Sequence, residues 1–258
     1  MAGQIKRPNL FLWVASIVWL NTAFWLAVLL LTLGFITIGV GYVGLFHLIT
    51  QSRRRTMWLV RRMISHYGSL ALACCWPLVR VRYIDYAPDD QPPFVFICNH
   101  PSTADPFLMS VLPFESIQLR KAWTAKIPVY GPVGRIAGYL TALEMPHDAF
   151  MAAGSKLLAE GVSIIAFPEG TRSGSRQMAS FHGAAFRLAQ HNGVKIVPLA
   201  ISGSEHIHQR GSWFMRPAQV VVSKLRALTR EQYENMSPFK LKTTVREQLR
   251  QYLDAQPA

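Results

Sequence analysis

The sequence predicts an α/β fold: a mixed, mostly parallel sheet flanked by helices, with an N-terminal membrane-embedded helical hairpin. Three observations lead there. Short apolar runs rich in β-branched and aromatic residues alternate with longer segments of helical character, the order of strands and helices in an α/β chain. Residues 8–52 contain no Asp, Glu, Lys or Arg. The chain has 258 residues, 50% of them apolar, enough for one substantial domain and a small appendage. The division is therefore 1–77, a membrane hairpin with a basic interfacial helix, and 78–258, an α/β domain.

The uncharged stretch is too long for a signal-peptide core. One crossing needs about 20 apolar residues, so the stretch has the length for two crossings, a re-entrant hairpin, or one crossing followed by an interfacial helix. Lys6 and Arg7 precede it, and Arg53, Arg54, Arg55, Arg61 and Arg62 follow. Positive charge at both ends favours both ends on the cytoplasmic side, hence a hairpin, turning near Gly34 or in Gly39-Val40-Gly41. Trp13, Trp19 and Trp25 suit interface anchoring or simple packing. Residues 57–76 continue as a helix in which Arg61, Arg62, Ser65, His66 and Ser69 group against an apolar face, the pattern of a helix lying along anionic headgroups.

Charge agrees with this. With 27 Lys and Arg against 14 Asp and Glu, the net charge is +13. Such a surplus points to a polyanionic partner, and beside so apolar a segment that partner is a membrane rather than nucleic acid. Cys74, Cys75 and Cys98 show neither disulfide nor metal-ligand spacing, which indicates a reduced compartment.

Beyond residue 77 the expected strands are 79–83, 94–98, 117–124, 162–167, 195–200 and 219–225. The expected helices are 106–112, 148–160, 181–191 and 238–255. Asp148 and Gly161 bracket the second helix, and Asn192-Gly193 closes the third. There is no internal repeat.

Two loops carry the chemistry. Asn99-His100-Pro101-Ser102-Thr103-Ala104-Asp105 follows the buried run 94–98, so it lies at a strand's C-terminal end, where ligands bind in open α/β sheets. If Asp105 takes one ring N–H of His100, the other nitrogen is left to accept a proton. The plainer reading of the same stretch is a strand end before a helix capped by Asp105 with Pro106 at its first position. Phe167-Pro168-Glu169-Gly170-Thr171-Arg172-Ser173 also ends an apolar strand. There Gly170 permits close approach of a ligand, and the planar fork of Arg172 suits a phosphate; the alternative is a turn with a surface Glu–Arg pair.

Together, His100-x4-Asp105 and Phe-Pro-Glu-Gly-Thr-Arg-Ser resemble the glycerolipid acyltransferase family, membrane enzymes that acylate lysophosphatidic acid and related acceptors. Two further blocks extend the resemblance over about 79–204: Lys121-x6-Pro-x-x-Gly131, and Ile196-Val197-Pro198-Leu199-Ala200-Ile201-Ser202-Gly203. The resemblance implies that His100 is the catalytic base and Asp105 its orienting acid. It implies that Glu169, Gly170, Thr171 and Arg172 bind the acceptor and its phosphate, and that Pro198 marks a strand end or edge near the site; Asn99 and Lys121 complete the substrate-binding set. The implied reaction moves a fatty acyl group from acyl-CoA or acyl carrier protein to a lyso-lipid hydroxyl, in phospholipid biosynthesis at the cytoplasmic face of the inner membrane. It calls for no metal or other cofactor, because the thioester is already activated.

The sequence departs from the family pattern in one place. Where many relatives carry an arginine after the second block, this chain reads Thr141-Ala142-Leu143-Glu144-Met145-Pro146-His147, and Lys121 or Arg135 would have to supply that charge. His182 stands where relatives more often have lysine. The acceptor expected is 1-acylglycerol-3-phosphate, with lyso-ornithine lipid as the alternative. Among other classes, a serine hydrolase lacks its Gly-x-Ser-x-Gly elbow, and His206-x-His208 with Glu205 is weak evidence for a metal site. A non-enzymatic membrane-anchored lipid-binding module explains the charge but not the two strand-end loops.

Overall fold

The computed structural model describes residues 10–142, 144–175, 177–208 and 214–256. Its strands are β1 (Val79–Asp85), β2 (Phe94–Cys98), β3 (Ser116–Gln118), β4 (Ser163–Ala166), β5 (Lys195–Ser202) and β6 (Ala218–Lys224). They form one sheet in the order β1-β6-β5-β2-β4-β3. Only β5 and β6 pair antiparallel, so the sheet is mixed and mostly parallel, as the sequence predicts.

Both faces of the sheet are covered, which is why β2 is apolar at every position. Val95 and Ile97 point into a core shared with Phe150 and Leu157 of α6 (His147–Ala159), Phe186 of α7 (Ala184–Asn192) and Leu249 of the C-terminal helix (Pro238–Asp254). Phe94, Phe96 and Cys98 point the other way. They meet Leu20 and Phe24 of α1 (Leu10–Gly34), Ala71 of α3 (Arg53–Ala73) and Leu108 of α4 (Asp105–Leu108). Burying each large side chain of this kind contributes about 1.5–3 kcal/mol. The N-terminal segment thus forms one layer of the domain's own core, and the boundary near residue 77 is one of composition more than of packing.

The hairpin turns at a different place from the one expected. α1, a π-helical turn at Phe35–Gly39 and α2 (Val40–Thr50) form one continuous apolar helix of 41 residues, long and apolar enough to cross a membrane. Gly34 and Gly39 both hold ordinary right-handed helical angles. Glycine permits a break without imposing one, and in apolar surroundings the backbone keeps its internal hydrogen bonds. The chain reverses where polarity returns, at Gln51 in the left-handed region (φ 47°) and Ser52, whose Oγ accepts the Arg55 N–H at the start of α3.

α3 then runs back along the long helix, joined to it by His47 Nδ1 with Thr56 Oγ1 at 2.8 Å and Thr32 Oγ1 with Tyr67 Oη at 3.1 Å. The pair is tied to the domain at both ends. Asn21 donates to the Met215 carbonyl and accepts its N–H, each at 2.9 Å, while Arg61 donates to Ala137 O at 2.8 Å and to Glu115 Oε1 at 2.7 Å. The opposite side of the long helix exposes Trp19, Leu26, Leu30, Leu33, Ile38, Leu45 and Leu48. An apolar surface of that extent associates the protein with a membrane. The charges at Lys6 and Arg7 lie outside the described residues.

Other element boundaries differ for local reasons. β3 ends near Gln118 because, after a last ladder bond from Leu119 N–H to Ile165 O of β4, Arg120 N–H turns to Leu140 O, and Ala122–Lys126 is then a 3-10 turn. The short helix α5 (Tyr130–Ile136), with its Gly and Pro residues, has no counterpart in the sequence expectation. α7 begins at Ala184, since His182 N–H is held by Pro168 O.

Candidate active site

Because β2, β3 and β4 run parallel, their C-terminal ends share one edge of the sheet, where β5, parallel to β2, also ends. The loop after β2 places His100 Nδ1 2.7 Å from Asp105 Oδ2. Asp105 is fully buried, with Oδ2 also accepting the Ser102 N–H at 2.8 Å and Oδ1 accepting the Ser204 hydroxyl at 2.7 Å. All three donors face a carboxylate, which fixes the imidazole tautomer: Nδ1 carries the proton and Nε2 is left as the acceptor. Burial pushes the Asp105 carboxyl above the usual carboxylate range, and the bonds from His100, Ser204 and Ser102 oppose that shift. The His100 ring lies against Phe167, centroids 4.5 Å apart, with its side chain 16% exposed.

This changes the reading of Asp105 as a helix cap. The carboxylate makes no capping bond to α4, whose N-cap position is Ala104. Its oxygens turn back onto the loop and across to Ser204 instead.

Glu169 clamps the two loops together. Its Oε1 accepts the His100 N–H and its Oε2 the Ala179 N–H, both at 2.8 Å, and Ser173 N–H bonds His100 O at 2.9 Å. Burial raises the Glu169 carboxyl above its ordinary range against the pull of those two N–H groups. Gly170 takes φ +67°, a conformation favouring glycine, and sets Thr171 and Arg172 in solvent. Arg172 lies near His208, whose imidazole is held below its ordinary value by burial first and by that guanidinium second. Burial, with Asp105 adding to it, lifts the Cys98 thiol well above its ordinary range, so Cys98 stays protonated packing.

A histidine with one nitrogen tied to a buried carboxylate and the other open at a sheet edge can accept a proton from a hydroxyl. The family model described as Acyltransferase matches residues 78–202, and that segment contains the pair, the Glu169 clamp and Pro198. Residues 78–202 are thus similar to an acyltransferase-family domain. A 1-acyl-sn-glycerol-3-phosphate acyltransferase of Chlamydomonas reinhardtii is 30% identical over 65% of this chain and 53% of its own length. The lyso-ornithine lipid O-acyltransferase of Pseudomonas aeruginosa is 27% identical over 66% of this chain and 65% of that protein. The crystal structure of the 1-acyl-sn-glycerophosphate acyltransferase PlsC of Thermotoga maritima superposes with a TM-score of 0.72, covering 95% of this chain and 99% of that one at 21% identity, a likeness of fold. The chain spans about half the length of the Chlamydomonas relative.

Within the matched segment, the structure brings His100, Asp105, Glu169, Gly170, Thr171 and Arg172 onto one edge, and Lys121 follows the end of β3 on that same edge. Two expected substrate-binding residues are spent on architecture. Asn99, 2% exposed, donates to Ile201 O and accepts Ile201 N–H, each at 2.8 Å, so both its polar atoms are occupied in tying β2 to β5. Pro198 is buried inside β5, opposite Ile97 of β2, in the interior of the sheet and not at an edge. Proline is tolerated there because the ladder with β6 is interrupted: pairing runs from Ser202 with Val221 to Leu199 with Lys224, then resumes only at Ile196 with Leu228.

Glu144 accepts the Ala122 N–H at 3.1 Å, anchoring its segment to the turn after Lys121, and Arg135 is exposed in the last turn of α5. Sequence reasoning gave no role to Ser204 or Arg120. Arg120 lies between the rings of Tyr130 and Tyr139, 5.8 and 6.0 Å from their centroids, with Nε and Nη1 unbonded among the described residues. Its neighbourhood to Lys121 was the one available signal. For Ser204, the signal was its place directly after Gly203 at the close of the fourth block. Among the described residues, no group of three or more His, Cys, Asp or Glu is placed to hold a metal ion, Glu205, His206 and His208 included.

Proposed function

We propose that this protein is an O-acyltransferase that moves a fatty acyl group from acyl-CoA or acyl carrier protein to the hydroxyl of a membrane lyso-lipid, with 1-acylglycerol-3-phosphate as acceptor and phosphatidic acid as product. The observation that carries the reading is the His100 Nδ1 to Asp105 contact of 2.7 Å, which leaves Nε2 open at the strand ends. His100 Nε2 takes the hydroxyl proton as the acceptor oxygen attacks the thioester carbonyl, and Asp105 stabilises the imidazolium that forms. The tetrahedral intermediate then expels the thiolate, which recovers the proton from His100. A base of this kind contributes about 10²–10⁴-fold. The thioester is already activated, so no metal, cofactor or covalent acyl-enzyme is needed.

Lys121 and Arg172 are the cations we assign to the acceptor's anionic head. Glu169 acts through its grip on the His100 backbone. The apolar face of the long helix holds the domain at the bilayer surface, and we place the site at the cytoplasmic face of the inner membrane, where the arginines at the start of α3 meet anionic lipid.

A second acceptor has an observation of its own in favour. The segment from Thr141 to His147 lacks an arginine, and a relative covered over 65% of its own length, against 53% for the Chlamydomonas enzyme, is named for lyso-ornithine lipid. One experiment tests both: purified protein in detergent is given a radiolabelled acyl thioester with lysophosphatidic acid, lyso-ornithine lipid or no acceptor. Product formed with lysophosphatidic acid supports the first reading, and product with lyso-ornithine lipid alone replaces it by the second. Thioester loss independent of acceptor indicates a hydrolase, and no turnover in any arm indicates a lipid-binding module.

A further inference from the structure

We propose that Ser204 is a positioning residue of the His100–Asp105 pair: a buried hydroxyl at the end of β5 that fixes the orientation of the carboxylate and keeps it ionised as the partner of the imidazole. The inference rests on the reading of His100 as the base. Its ground is the distribution of donors around Asp105. Oδ2 receives two of them, His100 Nδ1 and Ser102 N–H, whereas among the described residues Ser204 Oγ at 2.7 Å is the donor on Oδ1. Both Asp105 and Ser204 are 0% exposed, so no solvent stands ready to replace that bond. Without it, one carboxylate oxygen is buried unsatisfied, a condition that favours the protonated acid.

The fold goes to some length to bring this hydroxyl 99 positions along the chain to Asp105. β5 turns out of the sheet at Gly203 with φ +84°, and a Cβ there would stand 2.0 Å from the Gln219 carbonyl oxygen, so the turn admits glycine alone. Ser204 then opens a 3-10 turn, Ser204–His206, closed by His206 N–H to Gly203 O. Two residues before Gly203, the backbone of Ile201 is gripped from both sides by Asn99, the neighbour of His100. The loops carrying the base and the hydroxyl are thereby locked in register.

The consequence is a direction of pH dependence. The Ser204 bond is strongest when His100 is neutral and the carboxylate bears its charge uncompensated. It is weaker when the imidazolium shares that charge. Losing the bond therefore disfavours the neutral, proton-accepting form, and the acid limb of the rate profile moves to higher pH. A hydroxyl that served only to fill space would not move that limb.

The test is kcat/KM between pH 5 and 9 for the full-length protein in detergent, with acyl-CoA and 1-acylglycerol-3-phosphate. For Ser204→Ala the acid limb is expected to rise by about one pH unit, with kcat/KM on that limb about tenfold lower and the acceptor KM unchanged. Ser204→Cys keeps the volume with a weaker donor, and is expected to shift in the same sense by less. A limb at the parent pH in both variants, or in Ser204→Cys alone should Ser204→Ala not fold, overturns the proposal. His100→Ala measured alongside separates the two levels: an active His100→Ala refutes the base itself, whereas an inactive one with unmoved Ser204 limbs refutes only the role of Ser204.

Discussion

Asp105→Asn isolates the charge of the pair from its geometry. Asparagine can keep every hydrogen bond of the site: its oxygen in the place of Oδ2 accepts from His100 Nδ1 and Ser102 N, and its NH2 in the place of Oδ1 donates to Ser204 Oγ, a hydroxyl free to act as acceptor. What disappears is one negative charge facing the imidazolium. Two unit charges about 4 Å apart at an effective dielectric constant of about 20 interact by about 4 kcal/mol. That is the scale of a thousandfold loss, so kcat/KM is expected to fall by about 10²–10³.

Stability should respond in the opposite sense. A carboxyl whose pKa is raised by folding contributes stability that is present below its unfolded value and lost as pH rises through its folded one. At pH 7 the parent therefore bears a cost that asparagine does not, and Asp105→Asn should melt at or above the parent temperature, the two curves converging near pH 4. The assay is steady-state acyl transfer beside thermal unfolding at both pH values. Activity within tenfold of the parent, or a melting temperature clearly below it at pH 7, refutes the electrostatic account.

Gly203→Ala places a Cβ against the Gln219 carbonyl at a left-handed backbone position; a loss of more than about 3 kcal/mol is expected, seen as a lowered unfolding midpoint or failure to accumulate folded protein. Arg61→Ala leaves Glu115 paired with Arg54 but strips Ala137 O of its donor and removes a buried side chain, which should cost about 2–3 kcal/mol by thermal shift in detergent; Arg61→Met, which keeps the packing, should cost less.

The fold was legible where one interaction dominates a segment. Phe94–Cys98 was bounded to the residue because a run buried on both faces has no alternative to a central strand, and Gly161 and Gly193 ended their helices at positive φ as their positions suggested. The hairpin turn was misplaced because glycine advertises freedom, not a turn; the polar Gln51-Ser52 junction was the better signal. The span of α5 was invisible because Gly131, Pro132 and Gly134 depress helix propensity, while the close approach of Ala125 O and of Arg120 leaves no room for a side chain at the two glycines.

Site residues divide the same way. The pairing of His100 with Asp105 was legible because the two side chains lie five positions apart in sequence. For Asn99 and Glu169 the blocks mark the positions, but only the coordinates show their polar atoms bonded to Ile201, His100 and Ala179. For Ser204 the sequence offers its place after Gly203 but not its partner, because Asp105 is 99 residues away and the pairing is made by sheet topology.

The most direct measurement of His100 as the proton acceptor is acyl transfer by His100→Ala in detergent at saturating acyl thioester and lyso-lipid, with folding verified by its melting curve. A fall in kcat of at least about a hundredfold, with the acceptor KM little changed, is the predicted result. Full activity in a folded His100→Ala protein would contradict the mechanism.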